Sequence, residues 1–163
     1  MALTEVGFGL GSNLGDKPAN IREAVRLLEE RGAARLRAVS RIYRTPPWGV
    51  TDQEDFANAC AVGETDLSPH ELLAAVKSIE ADMGRAPTRR WGPRLIDIDI
   101  LFFGGRSLDE PELTIPHKEL FARGFVLAPL AEIAPDLVLE GVSVAEAAVK
   151  ADLTGVKPWP SAG

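Results

Sequence analysis

The sequence predicts an α+β fold in which two helices pack on one face of an antiparallel sheet, in the chain order β-α-β-β-α-β. Apolar residues alternate at the N-terminus and again over residues 95–103, as in strands. Two segments between them carry apolar residues at helical spacing, and glycine or proline marks each change of period. The 163 residues suit one domain, with a tail from about residue 152 expected to be loosely held.

Each element has a local signature. Residues 3–10 form the first strand, with Val6, Phe8 and Leu10 alternating with small residues. A Gly-Ser-Asn-Leu-Gly-Asp turn leads to a helix with Pro18 in its first turn and an apolar stripe of Ile21, Ala24, Val25 and Leu28. Gly32 stops that helix. A second strand is expected over residues 35–44, and its mixed alternation leaves the buried face open. After a loop rich in proline and glycine, residues 56–64 form a third strand with Phe56, Asn58, Cys60 and Val62 on one face.

Ser68-Pro69-His70-Glu71 reads as a capping box opening a second helix that carries Leu72, Leu73, Val76, Ile79 and Met83 and ends at Gly84. Residues 95–103 are the clearest strand. Together these make a ferredoxin-like sheet with helices packed on it. The C-terminal extension is irregular, with a turn at Gly104-Gly105 and helical stretches near residues 125–133 and 144–151.

Composition narrows the function. Eighteen basic against twenty-four acidic residues, a net charge of −6, argue against sequence-independent nucleic-acid binding. The single Cys60 excludes an internal disulfide and suits a small core residue. No apolar run approaches the roughly 20 residues of a membrane span, and the N-terminus shows no secretory pattern. A cytoplasmic protein is expected.

Two aspartates inside an apolar strand need a reason. Asp97 and Asp99 sit in LIDIDILFF, where i and i+2 share a face about 6.8 Å apart along the chain. The pair could simply lie on a solvated face, but the loop upstream favours a metal site. It holds Arg85, Arg89, Arg90 and Arg94 around Trp91, donors suited to a triphosphate. Carboxylates facing phosphate point to magnesium. His117 is a further phosphate donor or a structural hydrogen-bonder, and His70 is structural or exposed. The GLGSNLG segment matches neither a Walker A motif nor GxGxxG and reads as a tight strand-to-helix connection.

Thr45-Pro46-Pro47-Trp48-Gly49, with Phe56 and Asn58 beyond, offers rigid backbone, aromatic faces and an amide that suit a flat heterocycle. Phe125 and Trp91 could add further faces, although by residue chemistry alone Phe56 and Phe125 fit better in the core. Residue chemistry by itself stops at a metal-dependent enzyme handling phosphate esters.

The segments GLGSNLGD, SRIYRTPPWG, DQEDFANAC, RRWGPRLIDIDILFFG, LTIPHKEL and RGFVLAPLAEIAPDL together resemble the 6-hydroxymethyl-7,8-dihydropterin pyrophosphokinase family of folate biosynthesis. The resemblance implies transfer of pyrophosphate from ATP to the pterin hydroxymethyl group, with release of AMP. It implies two Mg2+ ions on Asp97 and Asp99, and ATP contacts from Arg85, Arg90, Arg94, Ile100, Thr114, His117 and Lys118. Arg94 and Arg85, with the two aspartates, would be the catalytic set. Thr45, Pro46, Trp48, Phe56, Asn58, Trp91 and Phe125 would hold the pterin, and Glu80 would lie in the site. Small-molecule substrates, no nucleic acid or membrane, and a monomer are expected. Two rival readings share the topology: a two-metal nucleotidyl transferase, and a non-catalytic RNA-binding module, where Asp97 and Asp99 would repel phosphate.

Overall fold

Val6, Phe8 and Leu10 alternate with Gly7, Gly9 and Gly11, and this alternation forms the middle of the first strand. The computed structural model describes residues 3–45, 55–84 and 95–159. The first half of the chain runs β1 (Thr4–Ser12), α1 (Lys17–Glu30), β2 (Arg35–Val39), β3 (Tyr43–Thr45), β4 (Phe56–Thr65) and α2 (Pro69–Gly84). It continues through β5 (Asp97–Phe103), the short pair β6 (Leu108–Glu110) and β7 (Leu113–Ile115), and a 3-10 turn at Leu120–Ala122. Then come α3 (Gly124–Ile133), β8 (Val138–Leu139), β9 (Val142–Ser143), α4 (Val144–Lys150) and β10 (Lys157–Pro158).

The result is a mixed α/β protein built on an antiparallel sheet. Its strands lie in the order β10-β3-β4-β1-β5, with β2 also paired to β4. One face packs Val6, Phe8, Leu10, Ala57, Ala59, Ile98 and Ile100 against Ile21, Ala24 and Leu28 of α1 and Leu72, Val76 and Ile79 of α2. The other face packs Cys60, Val62, Leu101 and Phe102 against Val126, Leu127 and Leu130 of α3 and Val144 of α4. A bulge explains how two neighbours reach the same side. Phe8 pairs with Ile100 and Gly7 with Phe102, so Leu101 is extra, and it and Phe102 both turn to the second face.

The helix signals act as read. Ser68 N–H donates to Glu71 Oε1 at 2.9 Å and Glu71 N–H to Ser68 Oγ at 3.1 Å, the reciprocal bonds of a capping box. These bonds hold the Glu71 carboxyl below its ordinary pKa. Asp16 caps α1 by accepting from Ala19 N–H at 3.2 Å. The GSNLG connection is closed by Asn20, whose amide donates to Leu14 O and Ser12 Oγ.

Two expectations need correction. The first strand runs two residues further, to Ser12, because Gly11 still pairs with strands on both sides. The strand expected over residues 35–44 is two strands. Ser40 interrupts it, its Oγ accepting Cys60 N–H at 2.9 Å and donating to Arg41 O, which substitutes side-chain for ladder bonding. Within the expected tail, residues 157–159 make contacts with the sheet. Lys157 and Pro158 pair with Arg44 and Tyr43, and Trp159 N–H donates to Ile42 O at 2.7 Å. Among the described residues no helix is long and apolar enough to cross a membrane.

Candidate active site

On the face of β1 away from α1 and α2, Phe102 packs over Gly7 and Leu101 over Gly9, while Gly11 lies beside the Asn58 amide. Gly11 pairs with Asn58 of β4 on one side and Asp97 of β5 on the other, and Gly9 pairs with Asp99. A Cβ on Gly11 would stand 2.9 Å from Asn58 Oδ1, and one on Gly9 would stand 3.3 Å from Leu101. A side chain at Gly11 would crowd the Asn58 amide on the side that faces Asp97.

On that face β3 and β4 supply the first group. Asn58 is buried and its Nδ2 donates to Thr45 Oγ1 at 2.6 Å. The bond leaves the Asn58 carbonyl oxygen directed toward Gly11. Phe56, paired with Thr45, is half-buried, as is Phe125 at the start of α3. Neither aromatic ring is fully enclosed, in contrast to the core role that residue chemistry alone favours.

At the sheet edge β5 supplies the second group. Asp97 and Asp99 share a face by strand alternation, and the Asp99 side chain is 48% exposed. Glu80 of α2 accepts Ile98 N–H at 2.8 Å, between the two aspartates. Because β5 lies at the edge of the sheet among the described residues, this carboxylate satisfies a ladder donor that no described strand reaches. Lys77 Nζ pairs with Glu80 at 3.3 Å. All-oxygen donors, Asp97 half-buried and Asp99 exposed, fit a hard cation such as Mg2+.

His117 closes the third side. Its N–H donates to Leu101 O at 2.9 Å, and its Nδ1 accepts Glu119 N–H at 3.2 Å. That acceptor role leaves Nε2 as the protonated nitrogen of the neutral ring, 4.0 Å from Asp99 Oδ2. Burial lowers the His117 pKa and outweighs the attraction of Asp99. Lys118 is exposed beside it, and Thr114 is half-buried in β7.

Ile100 does not join this face. Alternation sends its side chain into the core with α1 and α2, opposite Asp99. Pro46, Trp48, Arg85, Arg89, Arg90, Trp91 and Arg94 lie outside the described residues. Sequence reading missed Arg123. Its guanidinium carbon sits 5.5 Å from the Phe125 ring centroid, it pairs with Glu119, and its buried Nε has no hydrogen-bond partner among the described residues. An arginine two residues ahead of an aromatic anchor, in RGFVL, was the available signal. A groove of about 450 Å³ between α1 and α2 lies on the helix side, and its Glu23, Arg26, Arg31 and Asp82 pair among themselves.

Asn58 and Phe56 lie on one side of Gly11 and Asp97, with Asp99 and His117 beyond it, on the other, an arrangement of polar, aromatic and acidic groups suited to an enzyme acting on small molecules. Residues 7–135 match the family of 7,8-dihydro-6-hydroxymethylpterin-pyrophosphokinase (HPPK). A 2-amino-4-hydroxy-6-hydroxymethyldihydropteridine pyrophosphokinase of Methylorubrum extorquens is 50% identical over 155 residues, covering 95% of this chain and 98% of that protein. The Pseudomonas aeruginosa protein of the same name is 42% identical over 98% of this chain and 99% of its own length. The chain belongs to the 6-hydroxymethyl-7,8-dihydropterin pyrophosphokinase family. A crystal structure of Plasmodium falciparum HPPK-DHPS wild type with pteroate shares the fold at TM-score 0.73 and 17% identity. It covers 91% of this chain, which spans 42% of that longer one.

Proposed function

We propose that this chain transfers pyrophosphate from ATP to the hydroxymethyl oxygen of 6-hydroxymethyl-7,8-dihydropterin, giving AMP and the pterin diphosphate. The observation that carries this reading is near-full-length similarity to pyrophosphokinases, 50% identical in the Methylorubrum extorquens protein, with residues 7–135 matching the family. The described face supports it, since ring-gripping and phosphate-facing groups lie on opposite sides of Gly11.

In this reading Asn58 and Thr45 read the edge of the pterin, and Phe56 and Phe125 stack on its faces. Pro46, Trp48 and Trp91 complete that pocket. Asp97 and Asp99 would hold two magnesium ions, which when bound neutralise phosphate charge and orient the triphosphate. His117 donates from Nε2 to a phosphate oxygen, and Lys118, Arg85, Arg90 and Arg94 supply charge-assisted bonds to the others. Arg94 and Arg85 stabilise charge that develops during transfer. Thr114 and the backbone of Ile100 lie toward adenine. The sheet order, with β2 and β3 together occupying one strand position, supports the ferredoxin-like reading of the fold. A cytoplasmic monomer is part of the same proposal, and gel filtration tests its oligomeric half.

The direct test incubates the protein with ATP, magnesium and the reduced pterin and resolves products chromatographically. AMP formed one-for-one with pterin diphosphate is expected. ADP would mean transfer from the γ position, and pyrophosphate release would mean nucleotidyl transfer; either overturns the reading.

A further inference from the structure

A second set of ligand-type side chains converges far from Gly11. His70 opens α2, while Glu110 ends β6 and Glu112 lies in the turn to β7. His70 Nε2 stands 3.2 Å from Glu110 and 3.8 Å from Glu112 Oε1. All three donor atoms lie within 4.8 Å of one another. One imidazole nitrogen carries at most one hydrogen, which cannot point squarely at two carboxylates at once. The carboxylates, meanwhile, repel each other.

We infer that His70, Glu110 and Glu112 bind a borderline-soft divalent cation of the zinc class, with water in the fourth position. Bonds of about 2.0–2.2 Å in tetrahedral geometry put ligand atoms roughly 3.3 Å apart. The 3.2 Å separation already meets that spacing, and the 3.8 Å one meets it after a small side-chain adjustment. All three side chains are exposed enough to make that adjustment without moving the backbone. The imidazole selects against magnesium, which prefers all-oxygen ligands, so this site and the Asp97–Asp99 pair take different cations.

Bound there, the ion ties the start of α2 to the β6–β7 hairpin. That hairpin is a separate two-stranded sheet, a unit that is marginal on its own. It leads through Ile115 to His117, so the ion would stiffen the segment that carries His117 into the candidate active site.

The experiment is calorimetric titration of zinc chloride into chelator-treated full-length protein, with magnesium in excess to occupy oxygen-only sites. One-to-one binding is expected, along with a rise in Tm, and affinity should fall by at least about tenfold in both His70→Ala and Glu112→Gln. Circular dichroism of the variants should match the wild type, because the side chains lie on the surface. A flat isotherm in the wild type would reduce the cluster to a surface ion pair and overturn the inference. So would zinc binding that both variants retain, which would place the ion elsewhere, for example at Asp99 and His117.

Discussion

Asn58 and Asp97 face each other across Gly11, each paired to it from a neighbouring strand. Two strand spacings separate them, about 10 Å, and Gly11 places no side chain of its own between them. That gap is the length over which a ring held at Asn58 could present an oxygen to a phosphate held beside Asp97.

The first prediction concerns the gap itself. In Gly11→Ala the new Cβ would press on Asn58 Oδ1 at 2.9 Å and turn the amide from its bond with Thr45. The KM for the pterin should rise about tenfold, the equivalent of one lost hydrogen bond, while the KM for ATP stays near wild type. Steady-state kinetics with each substrate varied in turn measures this. Equal rises for both substrates would place Gly11 outside the acceptor pocket.

Removal of either carboxylate should affect chemistry more than folding. Asp99→Ala and Asp97→Ala are each expected to lower kcat by at least about 10²-fold. The Asp99 side chain is 48% exposed, so its loss should leave Tm within about 2 °C of wild type. Single-turnover rates with thermal melts of the same samples separate the two effects. Wild-type turnover in either variant would remove that residue from the metal pair.

Glu132 fastens α3 to the sheet. It accepts from Tyr43 OH at 2.5 Å, Arg41 N–H at 2.9 Å and Arg41 Nε at 3.1 Å. Burial raises its pKa, but these donors outweigh burial and hold it below the ordinary 4.5. A depressed folded pKa contributes stability that is complete above the unfolded value and lost as pH falls through the folded one. Glu132→Gln should therefore cost about 1–2 kcal/mol near neutrality. The gap between wild type and variant should shrink below about pH 4.5 in urea melts taken across pH. A gap that stays constant to lower pH would show that the charge contributes nothing.

Trp159 secures the end of the described chain. Its ring lies 5.1 Å from the Arg44 guanidinium carbon and 5.9 Å from Lys17 Nζ, and Lys17 in turn donates to Asp55 O at 2.9 Å. Trp159→Ala should cost about 2 kcal/mol through lost cation–π contacts and apolar burial, lowering Tm by several degrees. Trp159→Phe should recover most of the loss, as differential scanning calorimetry would show. An unchanged Tm in Trp159→Ala would return the tail to the loosely held state expected from its composition.

Much of the site could be read before folding because strand alternation is local. Asp97 and Asp99 share a face by their spacing alone, as do Phe56, Asn58 and Cys60, and the Ser68–Glu71 box needs only four consecutive residues. Cys60 illustrates the same point in the core. Its apolar setting predicted burial, and in the structure burial pushes its thiol pKa well above the ordinary range.

What tertiary structure decided is which local faces meet, because cross-strand register and the docking of the C-terminal elements depend on contacts between residues far apart in the chain. Ser40 meets Cys60 across the sheet, where its Oγ accepts the Cys60 N–H, and the register shift between β1 and β5 leaves Leu101 out of the alternation. Glu80 finds Ile98, and His117 approaches Asp99, once α2 and the segment after β7 have packed. Arg123 comes to lie over Phe125, and His70 meets Glu110 from forty residues away, by the same cause. The sequence by itself determined each strand's faces and each helix's ends, which follow from short-range sterics and hydrogen bonding. Only the packed chain brought amide, carboxylates and imidazole around one glycine, since that arrangement is set by burial of the two cores.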